Sequence, residues 1–328
     1  MADPGAGEER EARVDPSASD SVREAGGRDR SWVRALALFL AVLGMTVVSP
    51  SVLVGIPLIV LVLVLRARRF GALLAAALAA LLAFGGVGRD GVWFVERGWA
   101  ILLGGWFVAL TLRWPGARLT SRVLGAVGGS VAVFAALLTT RLAPWPVLDW
   151  LMAQRIRTEI MAGLSVLRGA DQALPESLVS GVYRMADAQV QVFPAVLALA
   201  SMAGLAVAWW LYVTLSRGRD GGLGPVRDFG FTDQLVWLLI AGLALVLFGG
   251  EGALGRAGWN AVVFMGALYA VRGVAVTLFL TGGISLLWGA LFLVALLFLW
   301  PVIAVSAAVI GLGDTWLKVR ERAGRLVA

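Results

Sequence analysis

Apolar runs about as long as a bilayer is thick dominate the chain from residue 32 onward. A helix needs roughly 20 apolar residues to cross the hydrocarbon. The candidate segments are 32–48, 52–65, 70–87, 93–112, 123–140, 192–215, 234–249, 257–281 and 284–313. The second is short and contains Pro57, the eighth contains Arg272, and the ninth is long with Pro301 at its middle. Proline removes a backbone donor and clashes with the preceding turn, so the ninth is expected to kink or break. Trp32, Trp93, Trp114, Trp259 and Trp316 mark segment ends, where an indole ring suits the headgroup layer.

Between the fifth and sixth segments the pattern changes. Within 141–191, Pro146 opens a helical period that puts Leu148, Met152, Ile156, Ile160 and Leu164 on one stripe. Arg155, Arg157 and Glu159 fall elsewhere. A second stripe runs from Pro175 through Leu178, Val182 and Met185. Two amphipathic helices lying at the membrane surface fit this pattern. They would cover the bundle or form a lid over an outward-opening site. The expected fold is therefore all-α, a polytopic transmembrane helical bundle of about 8–9 membrane segments with two amphipathic surface helices. Residues 1–31 carry eight acids among five arginines and bury too little to fold alone. They read as a disordered cytoplasmic tail. The transmembrane domain is expected at 32–322, with 141–191 as its extracytoplasmic connection and 323–328 as a short C-terminal tail.

Composition agrees and removes whole classes of chemistry. Of 328 residues, 59% are apolar and 15% charged, against about 25% charged in soluble domains. The chain has neither cysteine nor histidine. Disulfides, thiolate nucleophiles, Cys/His metal sites and histidine-based hydrolysis are excluded. No metal, no cofactor and no catalytic residue is expected, and the chain does not read as an enzyme. Gly85-Gly86-Val87-Gly88 and Gly221-Gly222-Leu223-Gly224 lack the Lys-Ser/Thr of a phosphate-cradling loop.

Net charge is +7. In a membrane protein this points to orientation and contact with anionic lipids, not to nucleic acid. The loops 66–69, 113–122 and 217–229 are arginine-rich and the alternate ones are not. The positive-inside rule then gives a multi-pass protein of the cell (inner) membrane with a cytoplasmic N-terminus. Nine crossings would put the basic tail, with Lys318, Arg320, Arg322 and Arg325, outside. A break near Arg272-Gly273 or Pro301 leaving eight true crossings would remove the conflict.

The order of features in the second half resembles a known family. An amphipathic helix leads to Phe193-Pro194-Ala195, which opens a long span. The linker Leu223-Gly224-Pro225-Val226-Arg227-Asp228-Phe229 runs into Gln234-Leu235-Val236-Trp237. Asn260 begins a span containing Tyr269-Ala270-Val271-Arg272-Gly273, and Leu312-Gly313-Asp314 leads to Arg320. This resembles the YybS-like family of predicted bacterial membrane proteins over about 32–322. The resemblance implies a relation in fold to the S components of energy-coupling-factor transporters and to MreD. From it follow a compact bundle, a ligand cavity on the outer side, and a membrane protein partner or energising module. Ala37 and Ala41 match an S-component docking spacing, as do Ala72, Ala76 and Ala80.

A few polar residues stand out in apolar surroundings. Arg272 lies near the middle of 257–281 and needs a partner. It would bind an anionic ligand group through its fork or pair with a buried carboxylate, for which Glu96 is the candidate. Asn260 and Tyr269 carry polar groups into the membrane and need hydrogen-bond partners; with Arg272 and Glu96 they are the candidate ligand-binding residues. Asp314 and Arg320 flank the end of the last span, as a local cap or a cytoplasmic docking surface. Two functions stay open: a substrate-binding or transport subunit resembling an S component, and a non-catalytic scaffold for a cell-envelope or division complex.

Overall fold

The computed structural model describes residues 50–65, 91–140, 145–168, 176–216, 224–250, 252–282, 286–320 and 322–323. The tail 1–31, the segments 32–48 and 70–87, the loop 66–69 and the alanine spacings lie outside the described residues, as does most of 323–328. The helices are α1 (Pro50–Val64), α2 (Gly91–Arg113), α3 (Leu119–Thr140), α4 (Trp145–Arg168) and α5 (Glu176–Ser216). Two 3-10 turns, Val226–Asp228 and Asp233–Leu235, precede α6 (Val236–Phe248), α7 (Ala253–Leu280) and α8 (Leu286–Leu317). No strand occurs among the described residues. Among the described residues, five stretches are long and apolar enough to cross a membrane: Trp93–Arg113, Leu119–Leu137, Ser180–Thr214, Ala253–Leu280 and Phe298–Leu317. Val52–Val64 and Asp233–Phe248 are shorter apolar helices. The described chain is an all-α, multi-pass membrane bundle.

Helix directions follow from the contacts. Trp99 donates to Ser201 at 2.9 Å, and Phe107 meets Trp209 edge-on at 5.9 Å, so α2 and α5 run parallel. Phe134 packs on Trp99, while a side chain at Gly125 would meet Leu110, so α3 runs back along α2. The first core lies among α1, α2, α3 and α5, around Leu61, Leu103, Phe107 and Leu205. Lipid is as apolar as these side chains, so close packing rather than exclusion of water holds such helices together.

The second expected surface helix is not a separate element. It is continuous with the sixth span in α5, 41 residues long and thus about 60 Å. That exceeds the roughly 30 Å hydrocarbon, so one end of α5 must project beyond it. Pro194 sits inside α5 without ending it, because α7 repairs the broken ladder. The carbonyl of Val190, which Pro194 cannot serve, accepts from Arg256 Nη2 at 3.0 Å. Asn260 accepts from the Ala195 N–H at 2.8 Å and donates to the Gln191 carbonyl at 2.9 Å. Asn260→Leu should strand the Ala195 N–H, at about 1–3 kcal/mol, while the Gln191 carbonyl keeps Arg256 Nε at 3.3 Å. Thermal unfolding in detergent should then fall by several degrees, and an unchanged midpoint would remove this account of the helix.

Of the expected stripe on the first surface helix, α4, Met152 is buried and Ile156 and Ile160 are half-buried; the side chains of Leu148 and Leu164 lie outside the described residues. Ion pairs also tie it down. Asp149 grips Arg256 with both carboxylate oxygens, and Arg155 meets Glu96 at 2.7 Å.

Helix α7 runs unbroken through Arg272-Gly273. The break falls in α8 at Leu299 (φ −116°, ψ 19°), two residues before Pro301. Pro301 cannot donate to Leu297, and its ring crowds that carbonyl, so the turn between them opens.

Candidate functional site

The site begins with a backbone contact. Helices α7 and α8 run antiparallel and touch at Gly273 and Gly311. A Cβ on Gly273 would collide with the Ala307 carbonyl, and one on Gly311 with the Tyr269 carbonyl. With no side chain between them, the helices approach closely enough for Arg272 to reach across.

Arg272 Nε donates to Asp314 Oδ2 at 3.1 Å, and its Nη1 to Asp233 Oδ1 at 2.9 Å. The Arg272 side chain is 8% exposed, that of Asp314 3% and that of Asp233 54%. Asp314 is held a second time. Arg320 donates to Asp314 Oδ2 through Nε at 3.2 Å and Nη2 at 2.9 Å. This requires the chain to turn back at the end of α8, and it does so at Lys318, whose φ is 48°. Left-handed backbone is unfavourable for a residue with a Cβ; the grip of Arg320 on Asp314 offsets that cost. Arg320 Nη1 also donates to the Phe229 carbonyl at 2.8 Å. Two arginines and two aspartates thus link α7, α8, the 224–235 connection and the C-terminal segment.

An apolar cluster backs the charges. Phe231, Met265, Leu268 and Tyr269 form its buried centre. Phe231 stands edge-on to Tyr269 at 5.3 Å, and the Arg272 guanidinium lies 5.4 Å from the Phe231 ring centroid. The Tyr269 hydroxyl is buried and makes no well-formed hydrogen bond, although Thr315 stands beside it.

One expectation needs correction. Arg272 does not pair with Glu96, which is held by Arg155. Arg272 lies 19 residues into α7, about 28 Å from its first residue, at the end where the 224–235 connection packs. Asn260 lies 12 residues earlier on α7, about 18 Å away along the axis. Of the expected residues, Arg272, Tyr269, Asp314 and Arg320 converge, while Glu96 and Asn260 stand apart with α4 and α5. The sequence reading missed Asp233, Asp149 and Arg256. Asp233 directly precedes the seventh apolar segment, the one signal that could have marked it. The contact of Arg320 with Phe229 puts the start of the C-terminal segment beside the 224–235 connection, as its basic character favoured.

Comparison with known proteins gives a family and no closer relative. No curated protein and no solved structure matches the chain. Residues 34–315 match the family described as Predicted membrane protein (DUF2232). That match covers most of the chain and agrees with the YybS-like resemblance; this protein belongs to that family of membrane proteins.

Proposed function

We propose that this protein is a non-catalytic subunit of the inner membrane, with its N-terminus in the cytoplasm, and that the Arg272–Asp314 end of the bundle is a docking face for a partner protein. The observation that carries this reading is that Arg272 is already met by two carboxylates. An arginine so paired clamps structure together; an anionic ligand would have to displace a buried aspartate. The clamp fixes a surface on which Val226, Arg227, Asp228 and Trp316 are exposed. Exposed Arg118 and Arg227 favour the cytoplasmic side and its anionic lipids.

Native mass spectrometry of the tagged protein, gently extracted from its own membrane, tests the reading. A stoichiometric protein partner should co-purify, and Arg227→Glu should reduce it at least tenfold without altering the thermal midpoint. A discrete small-molecule adduct that disappears in Arg272→Met/Asp314→Leu would instead make this a substrate-binding subunit and overturn the docking role.

A further inference from the structure

Arg122 departs from the pattern of the ion-paired arginines. Arg155, Arg256, Arg272 and Arg320 each meet a carboxylate. Arg122 is only 9% exposed, and among the described residues no carboxylate lies within ion-pair distance of it. Its Nε is fully buried and has no acceptor. Its Nη1 reaches the Thr111 hydroxyl at a long 3.4 Å, and that hydroxyl in turn donates to the Phe107 carbonyl at 2.7 Å. The guanidinium carbon stands 5.0 Å from the Trp209 ring centroid. A ring face attracts the cation but gives no hydrogen-bond acceptor. A buried charge without a counter-charge is among the least favourable arrangements in a protein.

The surroundings indicate which anion completes it. Arg122 lies in the first turn of α3, just past the connection that follows α2. Trp114 in that connection is exposed, as are Arg113 and Arg118. This is where spanning helices leave the hydrocarbon and a bilayer carries its phosphates. A guanidinium with open donors offers a planar fork suited to phosphate oxygens.

We infer that Arg122, backed by Trp209 and Thr111, is a binding site for a phosphate group whose negative charge is not cancelled by its own substituent. Its source is an anionic phospholipid headgroup or a soluble phosphate compound. The inference does not depend on the docking role of the Arg272 end.

The test uses the full chain, stripped of lipid in detergent and then offered phosphatidylglycerol, phosphatidylcholine or inorganic phosphate at matched ionic strength. For a lipid source, native mass spectrometry should show one phosphatidylglycerol retained by the wild type. Retention should fall at least tenfold in Arg122→Met and partly in Arg122→Lys, which keeps the charge and loses the fork. Arg113→Gln, at the exposed surface, should change it less than twofold. For a soluble source, inorganic phosphate should raise the thermal midpoint of the wild type and not that of Arg122→Met. In the absence of any phosphate, Arg122→Met should unfold no earlier than the wild type. The site is refuted if neither probe separates the wild type from Arg122→Met, or if Arg113→Gln loses as much lipid. Should Arg122→Met fail to fold, that failure counts against the inference, and the same comparison with Arg122→Lys decides it.

Discussion

Asp314→Ala should lower the thermal midpoint of the purified protein by about 6–20 °C. Asp314 is the most deeply buried acid of the cluster and accepts from Arg272 and Arg320 together. Removing it leaves Arg272 with only the half-exposed Asp233. Breaking one side of a buried ion pair costs about 3–5 kcal/mol, because the remaining charge has lost its counter-charge, and each kcal/mol shifts the midpoint by roughly 2–4 °C in a chain of this order of size. Replacing both members with apolar residues of similar volume, Arg272→Met with Asp314→Leu, should recover part of the loss: the buried Arg272 charge is then gone, while Arg320, whose side chain is 20% exposed, still loses its carboxylate. A double-mutant cycle in detergent measures this coupling directly. If the single changes cost less than about 1 kcal/mol, or if the double variant is worse than the sum of the singles, the cluster is not the clamp described above.

Gly273→Ala should be at least as damaging, although it removes no interaction. The added methyl group meets the Ala307 carbonyl, and backbone cannot rotate away as a side chain can. The helices must separate, at about 1–3 kcal/mol for ordinary overpacking and more where the obstacle is main chain. Gly311→Ala should behave alike against the Tyr269 carbonyl. Gly266 lies on the same helix with nothing within 4 Å of its would-be Cβ, so Gly266→Ala should leave stability unchanged or raise it by up to about 1 kcal/mol. Separation also pulls Arg272 from Asp314. The coupling measured in the cycle should therefore shrink in a Gly273→Ala background. Full coupling there would show that the ion pair forms without the close helix contact.

These two results bear on what a sequence can carry. Apolar run length and the cost of unpaired backbone in lipid determined that this is a multi-pass helical protein, because no other arrangement satisfies such segments. The break near Pro301 was legible for a related reason: the missing donor is a property of the residue itself. The uninterrupted course of α5 through Pro194 was not legible. It depends on Asn260 and Arg256, 66 positions or so away in sequence, offering their polar groups to the freed carbonyls. Arg272 could be recognised as anomalous from its neighbours along the chain, since an arginine in an apolar run demands a partner. Which partner it has was decided only in three dimensions. Asp233 and Asp314 lie 39 and 42 positions away, and they arrive because two glycines let α7 and α8 touch while a left-handed turn at Lys318 brings Arg320 back. Hydrophobicity and chain chemistry act locally and are written in the sequence; the pairing of charges is set by helix separation, which belongs to the packed bundle as a whole.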